Sequence, residues 1–156
     1  EQIDAGPEFQ AELARMWEEY LALQEALAAD RFQAVQPALV GLAAAVTAVN
    51  AQSLTDSSAE MAWHKEHANL EKILEQLGRA QDIEAVREGF RPLSEEIGVL
   101  AKSFGFGATN PAYELHCPMA FEGQGAIWYQ ADEDVRNPYF GSTMLKCADR
   151  VEKVAR

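Results

Sequence analysis

The chain has 156 residues, 48% of them hydrophobic, which is enough for one domain with a sizeable core and too few for two. Its 25 acidic and 13 basic residues give a formal net charge of −12, which would repel a polyanion and argues against nucleic acid as a partner. No stretch approaches the ~20 apolar residues that cross a bilayer, so we expect no direct membrane span.

Four amphipathic helices are predicted over residues 8–104. Apolar side chains recur at alternating spacings of three and four, so each set lines one face of a helix. The sets are Phe9, Leu13, Met16, Tyr20, Leu23 and Leu27; Phe32, Val35, Leu39, Leu42, Val46 and Val49; Trp63, His67, Leu70, Leu74 and Leu77; and Ile83, Val86, Phe90, Leu93, Ile97, Leu100 and Phe104. Because short connections make sequential helices antiparallel neighbours, we predict a mainly α protein built on an antiparallel up-down four-helix bundle.

Polar residues mark where these helices begin. Asp30 is predicted to cap the second helix, and Ser57 with Glu60 has the spacing of a capping box at the start of the third. Pro37 falls within the second pattern and Pro92 within the fourth, where a proline marks a first turn or bends the helix.

The composition changes after the fourth helix. Glycine, proline, asparagine and aromatic residues replace alanine over residues 105–141, which predicts a loop-rich appendage. Two brief strands are compatible with the alternation around Tyr113 and Leu115 and with the apolar run 127–129.

A short C-terminal helix is predicted over residues 142–156. Ser142 is its candidate cap, and Met144, Cys147, Val151 and Val154 fall on one helical face. We therefore predict a single domain, residues 1–156, made of a bundle (8–104), a loop-rich metal-site segment (105–141) and a terminal helix (142–156).

Sulfur-containing residues are the strongest candidates for chemistry. Cys117 and Met119 lie in the loop-rich segment, while Met144 and Cys147 are three apart and would share a helix face. Thiolates and thioethers are soft donors that favour Cu(I), and also suit Ag(I), whereas zinc more usually draws on cysteine, histidine and carboxylate. The four residues therefore indicate a metal site for Cu(I).

Two other interpretations of the same residues stay open. Buried methionine and cysteine are ordinary packing residues, and the spacing alone favours packing. A disulfide between Cys117 and Cys147 would close a loop of about 30 residues and contribute roughly 3 to 4 kcal/mol in the chain-entropy model. Such a disulfide would remove the two best metal ligands.

Several short motifs together resemble one known family. They are His116-Cys117-Pro118-Met119-Ala120, Gly125-Ala126 with Trp128, Asn137-Pro138-Tyr139-Phe140-Gly141, Met144 with Cys147, and Met61-x-Trp63. In combination they are similar to an uncharacterised, copper-associated helical domain family often found at the C-terminus of CusB-like periplasmic adaptor subunits of RND heavy-metal efflux pumps.

The resemblance implies a periplasmic or cell-envelope module for copper homeostasis and heavy-metal efflux. Cys117, Met119, Met144 and Cys147 match the family's Cys-Pro-Met and Met-x-x-Cys elements, and Ala148 stands where glycine usually follows the last cysteine. Efflux-pump components or a copper chaperone are the implied protein partners. The Asn137–Gly141 turn is expected to hold the sulfurs in position.

Five further residues are secondary candidates, as additional metal ligands or as neighbours that support the ligands: His116, Met61, His64, His67 and Trp63. His116 directly precedes Cys117 in a segment that is expected to be extended, so the two side chains should point to opposite sides. On the third helix, Met61 shares a face with His64, and Trp63 with His67. Packing in or beside the core is the simpler interpretation for these four.

No enzymatic activity is predicted. A Cys117 nucleophile with one of three scattered histidines as base is a weak pattern, and no Cys-x-x-Cys motif is present for redox exchange. The alternative to metal binding is a disulfide-stapled helical interaction module of an efflux assembly without its own metal site.

Overall fold

A computed structural model of the chain describes residues 2–106 and 111–155. Four long helices, α1 (Gly6–Ala28), α2 (Phe32–Ala48), α3 (Ser57–Gly78) and α4 (Ile83–Phe104), precede three strands, β1 (Ala112–Cys117), β2 (Ala126–Gln130) and β3 (Arg150–Ala155). Shorter elements are a single helical turn, α5 (Ala120–Gly123), and 3-10 turns at Ala51–Ser53 and Gly141–Thr143. The predicted mainly α bundle with an appendage is confirmed, and both brief strands are present as β1 and β2. Residues 107–110 of the predicted loop-rich segment, Glu1 and Arg156 lie outside the described residues.

Contacts at the two ends of α1 fix the directions of the helices. Phe9 near its start packs on Trp63 near the start of α3 and on Phe104 at the end of α4, with ring centroids 5.4 and 4.9 Å away. Near its other end the Leu27 carbonyl accepts a hydrogen bond from Arg87, in the first turns of α4. Thus α4 runs antiparallel to α1, and α3 runs parallel to it. None of the helices among the described residues combines the length and the apolar composition that a membrane-spanning helix requires.

Two of the predicted helix caps differ from the structure. Asp56, not Ser57, caps α3 by accepting a hydrogen bond from the Ser58 N–H. Asp30 does not cap α2; it has a φ of 59° just after α1, and its carboxylate binds Arg87 and the Ser142 N–H. Tertiary partners for the Asp30 carboxylate replace the local cap that the sequence predicts.

The sheet lies against the bundle. Its strand order is β2-β1-β3, with both pairs antiparallel. The buried Tyr20 hydroxyl, hydrogen-bonded to Ser94 at 2.7 Å, accepts a bond from the Tyr129 N–H on β2 at 3.1 Å. The Tyr129 hydroxyl approaches α4 at Gly98, where a β-carbon would collide with it. Glycine at this position lets the sheet pack closely on α4.

The predicted C-terminal helix at 142–156 is wrong. Residues Gly141–Thr143 form a 3-10 turn without a Ser142 cap, and Arg150–Ala155 form β3. The spacing of three between Val151 and Val154 fits a helical period and not the two-residue period of a strand, so the local pattern favours a helix. Pairing along β1 supplies β3 with backbone hydrogen bonds, whereas an isolated helix of this length is marginally stable in water.

Candidate functional site

The two cysteines meet beside the sheet. Cys117 is the last residue of β1 and is fully buried, and Cys147 is partly exposed in the segment that leads to β3. Their sulfur atoms lie 3.0 Å apart although the residues are 30 positions apart in the chain, and both are free thiols. The tertiary structure therefore brings one half of the predicted ligand set together.

Strand pairing is what places Cys147 next to Cys117. Along β1 the side chains alternate, so Leu115 and Cys117 face the core while His116 points to the other side. The Asp149 N–H donates to the His116 carbonyl at 2.9 Å, just before β3 begins to pair with β1. This bond brings the segment that carries Cys147 to the end of β1.

Asn137 holds the turn that contains Cys147. Its amide group donates to the Cys147 carbonyl at 2.9 Å, and its N–H donates to the Leu145 carbonyl at 2.8 Å. Its side-chain oxygen accepts from the N–H groups of Tyr139 and Phe140 at 2.8 and 3.1 Å. Asn137 is fully buried, so it joins the 137–141 turn rigidly to the cysteine turn.

The methionines occupy the turns on either side of the cysteine pair. Met119 follows β1 and its residue is 55% exposed. Met144 is partly exposed, and its carbonyl accepts the Cys147 N–H at 3.1 Å. The predicted sharing of a helix face by Met144 and Cys147 is therefore wrong, because a turn joins them. Of the four predicted ligands, the structure brings the two cysteine sulfurs into contact, and Met119 and Met144 lie in the neighbouring turns.

Burial raises the pKa of the Cys147 thiol to about 11, and the adjacent Cys117 thiol adds to the rise. The backbone N–H of Met119 opposes it in part. A nucleophilic cysteine needs the opposite shift, toward a stable thiolate near neutral pH. Cys147 is therefore protonated at neutral pH and would lose its proton on binding a metal ion.

His116 lies apart from the sulfur atoms. Its Nδ1 is 2.7 Å from a carboxylate oxygen of Asp149, on the side of β1 opposite to Cys117. This contact lowers the pKa of Asp149. The other ring nitrogen packs over Gly125, where a β-carbon would come within 2.8 Å of it. Asp149, which the sequence did not single out, thus fixes the orientation of the histidine.

The candidates on α3 lie elsewhere in the molecule. Trp63 is buried against Phe9, which also packs on Phe104 at the C-terminal end of α4. Met61 is 73% exposed, and His64 and His67 lie near Glu60 and Glu71 on their own helix.

The turn that follows Cys117 and Met119 contacts a different part of α4. The Arg91 guanidinium stacks over Phe121, two residues beyond Met119, at 5.2 Å from the ring centroid. Arg91 and Phe104 are about 20 Å apart along the helix at 1.5 Å per residue. The structure therefore does not bring the α3 candidates to the sulfur atoms.

Harder metal ligands are not gathered at this site. Across residues 2–106 and 111–155, no group of three or more histidine, cysteine, aspartate or glutamate side chains could hold a metal ion. The cysteine pair by itself supplies two donors. Met119 and Met144 lie two and three residues from these cysteines along the chain.

Comparison with known proteins gives a family match over the helical bundle but not over the two cysteines. A family model described as "Protein of unknown function (DUF3347)" matches residues 16–109, more than half of the chain. The matched residues end before Cys117. No curated protein and no solved structure matches the chain. On the family match, the chain belongs to the DUF3347 family.

Proposed function

We propose that this protein binds one soft monovalent metal ion, Cu(I) or Ag(I), through Cys117 and Cys147 with Met119 and Met144 as thioether ligands. The observation that carries the proposal is the 3.0 Å approach of two free thiols from distant parts of the chain. Thiolates and thioethers together are the donor set that Cu(I) prefers.

The surroundings of the cysteines suit a metal ion that arrives from solvent. Cys147 and Met119 are accessible, while Cys117 and Asn137 are buried and fixed. A metal–thiolate bond is about 2.3 Å long, as in zinc sites, so two sulfurs bound to one ion stand farther apart than 3.0 Å. The partly exposed Cys147 turn is the element that would move outward as the ion enters.

The cellular role in this proposal is envelope copper handling. It rests on the resemblance of the Cys-Pro-Met, Asn-Pro-Tyr-Phe-Gly and Met-x-x-Cys motifs to the domain fused to periplasmic efflux adaptors. Within that role the domain would sit in the periplasm or cell envelope and exchange copper with a pump component or a copper chaperone.

Titration of the reduced protein with Cu(I) under anaerobic conditions, against a competing chelator, tests the metal site. We expect one Cu(I) per chain, and Cys117→Ser and Cys147→Ser should each weaken binding at least about tenfold because each removes a thiolate ligand. Circular dichroism of both variants checks that they remain folded. Unchanged affinity in the double variant would refute the cysteine ligands.

Replacing Met119 or Met144 by leucine tests the thioether ligands. Leucine conserves the side-chain volume, so the free energy of unfolding should fall by less than ~1.5 kcal/mol while the Cu(I) affinity drops. Met61→Leu is the matched control, since Met61 is exposed on α3, and it should leave the affinity unchanged. Parallel losses of stability and affinity at Met119 or Met144 would indicate a packing role instead.

A second candidate function is a disulfide-stapled interaction module. The same 3.0 Å separation favours it, because a small movement would close a disulfide with a sulfur–sulfur bond of about 2.05 Å. A thiol count on the protein isolated without reductant separates the two functions. Two free thiols and high Cu(I) affinity support the metal site, whereas no free thiol and indifference to copper after reduction support the staple.

A further inference from the structure

Two glutamates are buried where α3 faces α4. Glu66 is only 5% exposed and Glu96 only 7%, although acidic side chains are rarely buried without a charged partner. Within the described residues, neither carboxylate belongs to an ion pair, and the Oε2 atom of Glu96 is buried without a hydrogen-bond partner. This arrangement would be very unfavourable if both groups were ionised.

The charges that act on Glu96 come from α3. They are the carboxylate of Glu66 and, more weakly and with opposite effect, the ammonium of Lys65. Burial raises the pKa of Glu96 to about 7, the charge of Glu66 adds to the rise, and hydrogen bonding by Asn69 offsets part of it. Two neighbouring carboxylates in a desolvated site cannot both ionise cheaply, so one of them keeps a proton.

Within residues 2–106 and 111–155, the other elements that pack on α3 or α4 bring no compensating charge to this position. The helix α2, which also packs on α3, contains no charged residue. Both α1 and β2 approach α4 through Ser94 and Gly98, one turn apart on the face opposite to Glu96. On α4 itself the neighbouring Glu95 is exposed, 4.0 Å from Arg91.

We propose that Glu66 and Glu96 form a proton-binding site that couples the packing of α3 on α4 to pH. With one proton held by the pair, a single negative charge remains in the interface and the two helices pack. Loss of that proton leaves two buried, mutually repelling carboxylates and weakens the α3–α4 contact. The proposal concerns the bundle and does not depend on metal binding by the cysteines.

The direction of the pH effect follows from the raised pKa. A carboxyl whose pKa is about 4.5 in the unfolded chain and about 7 in the folded protein contributes stability that is fully present below pH 4.5. That contribution falls as the pH rises toward 7 and is lost above it. Replacing the carboxyl by an amide of the same shape removes this loss.

Thermal unfolding of the full chain at pH 5 and pH 8 tests the proposal through Glu96→Gln. The Tm of Glu96→Gln minus the Tm of the wild type should rise by about 5 °C or more from pH 5 to pH 8, because only the wild type loses a buried proton. Glu95→Gln, which removes an exposed charge from the adjacent position, should give a difference that changes little with pH. An equal change for both variants would overturn the proposal.

A second variant and an NMR titration test the same proposal without depending on Glu96→Gln alone. Glu66→Gln should reduce the pH dependence without abolishing it, since it removes the charge of Glu66 while burial still raises the pKa of Glu96. In wild-type protein with ¹³C-labelled glutamate side chains, NMR should show one carboxyl titrating near pH 7; this signal should vanish in Glu96→Gln and move to lower pH in Glu66→Gln. Titration of every glutamate carboxyl below pH 5.5 would exclude the site.

Discussion

Arg87→Met will lower the free energy of unfolding by about 3 to 5 kcal/mol, the cost typical of breaking a buried charge network. The Arg87 side chain is 7% exposed and donates to the carbonyls of Leu27 and Pro138 at 2.7 and 2.8 Å and to the Asp30 carboxylate at 2.7 Å. It therefore joins the end of α1, the start of α4 and the 137–141 turn. Methionine keeps most of the apolar stem and removes every one of these bonds.

Arg91→Met is the matched control for Arg87, on the same helix one turn later. Arg91 is one-third exposed, stacks over Phe121 and lies 4.0 Å from Glu95, so its loss should cost about 1 kcal/mol. Urea unfolding of both variants measures the difference. Equal destabilisation within about 0.5 kcal/mol would contradict the role assigned to the Arg87 network.

The loss of stability caused by Arg87→Met should become smaller in acid. Hydrogen bonds from Ser142, and then from Arg87, lower the pKa of Asp30 to about 2, whereas it is about 3.8 in the unfolded chain. The carboxylate therefore contributes stability above pH 3.8 that is lost as the pH falls toward 2. Arg87→Met removes only the Arg87 part of this contribution. The difference in the free energy of unfolding between variant and wild type therefore becomes smaller as the pH falls from 3.8 toward 2.

Asn137→Ala should lower the free energy of unfolding by about 2 to 4 kcal/mol. The substitution leaves the buried N–H of Tyr139, the N–H of Phe140 and the carbonyl of Cys147 without their side-chain partner, at roughly 1 to 3 kcal/mol for each group that water does not reach. It should also loosen the cysteine turn, so that Cys147 reacts faster with a thiol reagent under native conditions.

Asn50→Ala supplies the matched control for Asn137. Asn50 also accepts a backbone N–H through its side chain, from Gln52 at 3.0 Å, but it does so at an exposed turn before α3. Its loss should cost no more than about 1 kcal/mol and leave the thiol reaction rate unchanged. If Asn137→Ala reacted with the reagent no faster than Asn50→Ala, the 137–141 turn would not position Cys147.

The proposed metal site has an inner side that is fixed by the bundle and an outer side that is exposed. Cys117 and Asn137 are anchored by burial, and the Arg87 network fixes the 137–141 turn to two helices. Cys147 and Met119 remain accessible. A site that is rigid on its inner side and open on its outer side can accept an ion and release it to a partner.

Glu66 is a buried residue that the apolar pattern of α3 leaves out. It lies three residues after Trp63 and four before Leu70, which is the spacing of the buried seam. His67, predicted on that seam, is partly buried and lies 5.3 Å from the Trp63 ring. A pattern of apolar residues does not include glutamate, because charged side chains are rarely buried. Only the packing of α3 on α4 reveals that Glu66 is buried.

The sequence by itself determined the four helices, because the three-and-four spacing of apolar residues is a local property that requires one buried face per helix. It also identified the turn at Asn137–Gly141 and the opposite orientations of His116 and Cys117. Tertiary structure alone decided that Arg150–Ala155 is a strand, that Asp30 binds Arg87, and that the two cysteine sulfurs meet. These features depend on partners far away in the chain, whose hydrogen bonds and contacts outweigh a short local pattern.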